Sequence, residues 1–302
     1  MKLVSFGPRH AEQPGILIDD ETAIVPIVPV LARLGLSAID MTAVLGLLEY
    51  IRPLLDKAAT ARDDVVPAAS VRLGPPIPKP TKAIVCGVNY RSQVADLEAT
   101  GGHAPRKPPV VLRPNTSISG PFDPVVSWNG IAEIDYEGEL VVAIGKAGRN
   151  IPITDALSHV AGYMVGQDLI SRVIMQGDGD LSPLYLQPTR AKGVDSFSPT
   201  GPWLVTADSV PDPRNLEIKT WVDEELRQHG NSGEMITDVP SMIAWLSTTM
   251  TLEAGDIIFT GTPSGQGGSF KPPRELMPGQ VLRTAITGLG EMINPIIDDP
   301  RS

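Results

Sequence analysis

Two carboxylates two residues apart offer the first chemistry in this chain. Glu137 and Glu139 lie between Glu133 and Gly145, where acids give way to the apolar run Leu140 to Ile144. In a strand, residues two apart project from the same face, so these side chains stand side by side. Neighbouring carboxylates repel unless something compensates them. A bound divalent cation is the simplest compensation, and oxygen-only ligands favour Mg²⁺, Mn²⁺ or Ca²⁺ over zinc. An exposed acidic strand end, with both groups in water, also accounts for this segment and is the commoner arrangement.

Two further segments carry chemistry. The apolar stretch Ala161 to Gly166 ends at Gln167 and Asp168, and Arg172 follows four residues later. A helix starting after Gln167 would put Asp168 and Arg172 on one face, the acid as a third ligand and the arginine as an anchor for an anionic substrate. A plain surface ion pair is the alternative. Leu252 to Gly268 runs from a strand into a turn rich in glycine and hydroxyls. Such a loop exposes backbone N–H groups that can cradle an anionic oxygen, or is an ordinary hairpin turn. It is no nucleotide phosphate loop, because no Gly-Lys-Ser/Thr follows. His10, His103, His159 and His229 lack HExxH spacing, and there is no GxSxG turn. The single cysteine, Cys86, excludes an internal disulfide and a cysteine-rich zinc site.

These groups need a scaffold. The chain has 302 residues, 42% hydrophobic and 20% charged, a soluble globular balance. Its net charge of −10 argues against nucleic acid and anionic membrane as partners. The start has no apolar core of signal-peptide length and no run is long enough to span a bilayer, so the expected location is the cytoplasm. With 29 glycines and 30 prolines, turns are frequent and long helices few. Strands are expected at Ile16–Ile18 and Ala23–Ile27 around an Asp19–Glu21 turn, then a helix over Met41–Ala59 that Pro53 must kink or end. Four prolines between Pro75 and Pro80 mark a stiff linker. The reading is a small α/β domain over 1–75, a linker over 76–80 and a larger domain over 81–302. In the latter, strands are expected at Ala83–Cys86, Glu139–Ile144, Tyr163–Gly166, Pro202–Thr206, Glu217–Val222 and Asp256–Thr260. Helices are expected at Ile153–Val160 and Val239–Met250. Sparse helices among many strands make the class α+β, mostly β.

Together with Gly87-Val88-Asn89-Tyr90, Arg113-Pro114, Ser119-Gly120-Pro121, Lys192, Gly201-Pro202-Trp203 and Thr260-Gly261-Thr262-Pro263, these segments resemble the fumarylacetoacetate hydrolase family from about Lys82 to Asn294. The resemblance implies a β-sandwich roll, a homodimer, and Mg²⁺ or Mn²⁺ held by Glu137, Glu139 and Asp168, with Ca²⁺ admitted by the same oxygens. It implies small-molecule substrates, 2-oxo acids or β-diketones such as acylpyruvates, cleaved at a C–C bond through a metal-stabilised enolate. Arg172 and Lys192 match catalytic positions near the metal; Tyr90, Arg113 and Thr262 match substrate-binding ones.

The departures from the family pattern bear on the reaction. Family hydrolases carry a histidine and a glutamate three residues apart that activate water; here Gln93 and Asp96 stand at those catalytic positions. A glutamine amide is no general base near neutral pH. Glu98 and His103 are the nearby groups that a rearranged lid would offer instead. Arg113 replaces a lysine, Met175 replaces a glutamine with Gln176 one place off, and Gly177–Pro188 is longer than expected. An acylpyruvate-type C–C hydrolase is therefore the first reading. A 2-oxo acid decarboxylase, tautomerase or dehydratase stands beside it, and a catalytically impaired binding protein is third.

Overall fold

Along residues 138–144 and 160–167 successive side chains enter two different cores, and this alternation decides the architecture. The computed structural model describes residues 1–36, 39–62, 64–177 and 186–301. Strands β1 (Lys2–Phe6), β2 (Gln13–Ile18) and β3 (Ala23–Pro26) are followed by helices α1 (Ile27–Ala32) and α2 (Met41–Ala61) and strand β4 (Val66–Pro67). Next come β5 (Ala83–Cys86), α3 (Arg91–Ala99), β6 (Val110–Arg113), β7 (Ile118–Ser119), β8 (Val125–Ser127) and β9 (Ile134–Asp135). The centre holds β10 (Gly138–Ile144), β11 (Val160–Gln167), β12 (Ile170–Ser171), α4 (Arg172–Met175) and α5 (Pro188–Lys192). The chain finishes with β13 (Ser198–Thr206), β14 (Glu217–Val222), β15 (Glu225–Asn231), α6 (Val239–Thr249), β16 (Ile257–Phe259), β17 (Val281–Ile286) and β18 (Gly290–Asp298).

Eleven strands form one sheet in the order β4-β3-β2-β1-β13-β11-β10-β16-β5-β6, with β7 paired to β13. Leu140, Val142, Tyr163, Val165 and Val205 face one core, completed by α6 and the inner face of the five-stranded sheet β15-β14-β17-β18-β8. Val141, Ala143, Met164, Leu204 and Phe259 face the other, covered by Met41, Val44, Leu45 and Leu55 of α2. A sheet covered on both faces explains why its central strands read as unbroken apolar runs. The fold is mostly β, with few helices.

The leading strands are joined to the rest through β1 and β13, with Leu3 opposite Leu204. Gly74 to Ile77 of the proline-rich segment are buried, and Ser5 Oγ donates to the Pro76 carbonyl at 2.8 Å. The hairpin about Asp19 to Glu21 is as expected, with left-handed backbone at all three. Helix α2 runs on through Pro53, because its apolar face stays buried on both sides of the missing N–H. The helix expected over Ile153–Val160 is instead a turn, a 3₁₀ segment over Ala156–His159 and the first residue of β11. Ser158 Oγ donates to the Asp155 carbonyl at 2.7 Å, one of the local bonds by which such residues favour turns over helix. No described helix is long and apolar enough to cross a membrane.

Candidate active site

The ends of four strands meet at one edge of the large sheet. Strand β10 runs antiparallel to β11 and β16, and β16 runs parallel to β5. The start of β10 therefore meets the ends of β11, β16 and β5, which brings Glu137, Glu139, Asp168, Thr262 and Tyr90 to the same region. Glu137, Glu139 and Asp168 each offer a carboxylate oxygen, and these oxygens lie within 4.8 Å of one another. Glu139 and Asp168 are fully buried. Asp168 lies just beyond β11, and its N–H bonds the Glu137 carbonyl at 2.9 Å, which fixes the two acid-bearing segments together.

Two cations meet the acids. Lys192, at the end of α5, places Nζ 2.8 Å from Glu137 Oε2 and also on Asp168 Oδ2. Arg113 is buried, with Nε 2.6 Å from Asp168 Oδ1 and further bonds to the carbonyls of Lys192, Phe197 (3.1 Å) and Leu169 (2.6 Å) and to Ser198 Oγ. Its planar fork serves several acceptors that an ammonium cannot reach together. Arg113→Lys is expected to lower stability by about 3 kcal/mol, since buried carbonyls lose partners; urea unfolding checks this.

The charges remain unbalanced. Burial first, then repulsion from Asp168, pushes Glu137 up to about 7 against the pull of Lys192. Burial, Asp168 and Glu137 together push Glu139 well above the usual carboxylate range. Burial opposes the charge of Asp168, but Arg113 and Lys192 outweigh it and hold that acid low. Burial likewise opposes the charge of Lys192, yet Asp168 and Glu137 raise its pKa. Glu139 Oε2 accepts the Gly261 N–H at 2.7 Å, whereas Oε1 is buried without a hydrogen-bond partner. A crowded acidic trio with one bare inward oxygen fits a hard divalent cation.

The remaining sequence candidates occupy different places. Tyr90 is fully buried and N-terminal to α3. Gln93 and Asp96 lie on α3 one turn apart; among the described residues, neither bonds the carboxylates, and Gln93 Oε1 is buried without a partner. Thr262 Oγ1 donates to the Gly138 carbonyl at 2.8 Å and accepts from Gln228 Nε2 at 2.8 Å. Arg172 opens α4, with Nε 2.7 Å from Asp135 Oδ2. Residues 170–171 are strand, so no helix follows Gln167 to align Arg172 with Asp168. The glycine-rich turn also behaves differently from an open cradle: its N–H groups at Gly261, Gly267 and Gly268 bind Glu139 and Asp135. Of the segment Gly177–Pro188, residues 178–185 lie outside the described residues.

Several supporting residues carried no assigned role in the sequence: Gln167 and Asn89 stood within the quoted motifs, and Gln228 had no local signal. Gln167 Oε1 accepts the Glu137 N–H and Gln228 Oε1 accepts the Gly138 N–H, both at 2.9 Å. These two amides clamp the backbone that aims the glutamates. Asn89 binds Thr237 and the Thr260 carbonyl, fixing the end of β16 beside β5. Their partners are distant in sequence, so only the folded sheet shows their role.

The fumarylacetoacetate hydrolase C-terminal model matches residues 82–297. The chain belongs to the fumarylacetoacetate hydrolase family. It is 40% identical to oxaloacetate tautomerase YisK of Bacillus subtilis over 76% of this chain and 74% of that protein. It is 37% identical to the mitochondrial oxaloacetate tautomerase FAHD2A of Homo sapiens over 80% and 74%. Among solved structures, maleylpyruvate hydrolase from Sphingobium sp. SYK-6, in complex with manganese(II) and pyruvate, is 32% identical with a TM-score of 0.79, covering 99% of each chain. The chain is an enzyme of this family, within its hydrolase, lyase or isomerase range. Its acidic trio could bind a divalent metal.

Proposed function

We propose that this enzyme is a metal-dependent tautomerase that interconverts the enol and keto forms of a 2-oxo diacid of the oxaloacetate type. The observation that carries this reading is the pairing of a buried Lys192 on two carboxylates with Gln93, and no histidine, on α3. Histidine is absent from the acidic trio as well: His159 bonds the Lys146 carbonyl and His229 bonds Glu217. The site is equipped to stabilise negative charge, and among the described residues no histidine bonds Glu137, Glu139, Asp168 or Lys192. Similarity to two oxaloacetate tautomerases supports the same reaction.

Glu137, Glu139 and Asp168 would hold the cation, Mg²⁺ or Mn²⁺. When bound, it supplies Lewis-acid stabilisation of charge on the 2-oxo group. Lys192 is kept protonated by its two acids and so presents a positive charge and a proton toward an enolate oxygen. Arg113 fixes Asp168 and, through the Lys192 carbonyl, the segment that carries the lysine. Tautomerisation needs a proton moved between carbon and oxygen, with no attacking water. The expected fold-class companions, a homodimer and a cytoplasmic location, belong to this proposal too.

A C–C hydrolase is the second reading, favoured by the full-length similarity to maleylpyruvate hydrolase. Proton NMR in D₂O separates the two, using oxaloacetate, acetylpyruvate and fumarylpyruvate with Mg²⁺ or with EDTA. The expected result is Mg²⁺-dependent enol–keto exchange of oxaloacetate without acyl cleavage. Release of pyruvate and a free acid from an acylpyruvate, without accelerated exchange, would overturn it.

A further inference from the structure

Gln266 sits in the glycine-rich turn after β16, and its side chain is not explained by the fold. The residue is 7% exposed, and the only bond of its side chain among the described residues is a long one, Nε2 to Glu137 Oε1 at 3.4 Å. Lys192 occupies the other oxygen of the same glutamate. The second amide N–H and the carbonyl oxygen of Gln266 therefore lack a protein partner among the described residues. Neither amide atom is among the buried atoms left without a partner, so the open oxygen faces solvent beside the acidic trio, where a ligand atom can complete the set.

The backbone beneath it is rigidly placed. Asp135 is buried and accepts the N–H groups of Gly267 at 2.6 Å and Gly268 at 3.0 Å while paired to Arg172. A Cβ on Gly267 would lie 2.1 Å from the Arg274 carbonyl oxygen, so that glycine cannot be replaced without moving the turn, whereas one on Gly268 would displace only the Arg172 guanidinium. Ser269 Oγ closes the turn on the Gln266 carbonyl at 2.7 Å. A side chain on a pinned turn, aimed at the acidic trio, is preorganised for recognition. Its neutrality is informative as well. Beside Glu137 a cation would be drawn into an ion pair, whereas an amide keeps donors free for an incoming anion.

We infer that Gln266 is a specificity-determining residue whose amide binds the second carboxylate of a 2-oxo diacid, setting such substrates apart from 2-oxo monoacids. This rests on the proposed reading of what the site takes. The test uses two inert ligands that differ only in the second carboxylate, D-malate and D-lactate, titrated by calorimetry into the Mg²⁺-loaded enzyme. The wild type is expected to prefer malate. In Gln266→Leu the malate-to-lactate affinity ratio is expected to fall about tenfold, the worth of one hydrogen bond to a charged group. Gln266→Glu should fall further through repulsion, and Gln266→Asn should recover part of the preference. Mn²⁺ titration of each variant is the control: a loss of Mn²⁺ affinity that parallels the loss of malate would mean that Gln266 only supports Glu137, which overturns the inference. Equal wild-type affinity for malate and lactate overturns it too. A Gln266-dependent malate preference in an enzyme that leaves oxaloacetate tautomers unchanged would sink the tautomerase reading and uphold the role of Gln266.

Discussion

Glu139→Ala is expected to abolish saturable Mn²⁺ binding and to cost more turnover than the ~100-fold typical when only a group supporting a ligand is removed. The reason is the bare Oε1 of Glu139, a buried oxygen with no protein partner. An unchanged Mn²⁺ titration would remove Glu139 from the site. The same carboxylates set a pH dependence. Glu137 is raised to about 7 and Glu139 is raised further above its ordinary range. Protonated carboxyls cannot ligate, so binding releases protons and Mn²⁺ affinity should rise as pH increases through about 7. Stability of the metal-free protein runs the other way. A carboxyl whose folded pKa lies above its unfolded one stabilises the fold below the unfolded value, and this contribution is lost as pH rises through the folded value. Thermal melts in EDTA should therefore show falling stability from about pH 5 to pH 8, less steep in Glu139→Gln. Added Mn²⁺ should raise the melting point of the wild type alone.

Lys192→Met should separate metal binding from catalysis. The variant keeps the unbranched stem of the side chain, one atom shorter, but removes the charge that joins Glu137 to Asp168. Breaking a buried ion pair from one side costs about 3–5 kcal/mol, which urea unfolding would read. The acidic trio becomes more negative, so Mn²⁺ affinity should rise, while turnover falls by about 10²–10³-fold with the loss of preorganised positive charge. Turnover within tenfold of the wild type would remove Lys192 from the chemistry. The two variants thus give opposite signs for metal and the same sign for activity, a pattern that general unfolding cannot produce.

Much of the site was legible because its acids sit where strand periodicity gives way at a strand end. Glu137 and Glu139 could be paired by spacing alone, and Asp168 joins them through the turn after β11. The partner of Arg172 was not legible. Asp135 stood in the same acidic segment, but nothing local distinguishes it from Asp168, and the short β9–β12 pairing that decides between them joins residues 35 apart in the chain, Asp135 with Ile170. The glycine-rich turn was read for its free N–H groups, while the fold supplies buried carboxylates that take them. Among elements, unbroken apolar runs such as β5, β10 and β16 were recovered, while the mixed-polarity strands β15, β17 and β18 were missed, as were β9 and β12, whose two residues each are too few for any period. Pro53 and Ile153–Val160 show tertiary packing overriding local preference in one case, and local side-chain bonds opposing a helix in the other.

The seam between β1 and β13 also imposes an order on synthesis. Lys2 pairs with Val205 and Leu3 with Leu204, so β1, although it pairs with β2 at once, gains its second neighbour only after about 200 further residues. At roughly 5–20 residues per second this is a wait of about 10–40 seconds. During that interval the β1–β2–β3 meander has an open edge, and the apolar face that α2 covers has only part of its final counterpart. A nascent chain stalled before β13 would carry this edge unpaired, which makes the interval between the synthesis of β1 and that of β13 the period when the protein most needs a chaperone.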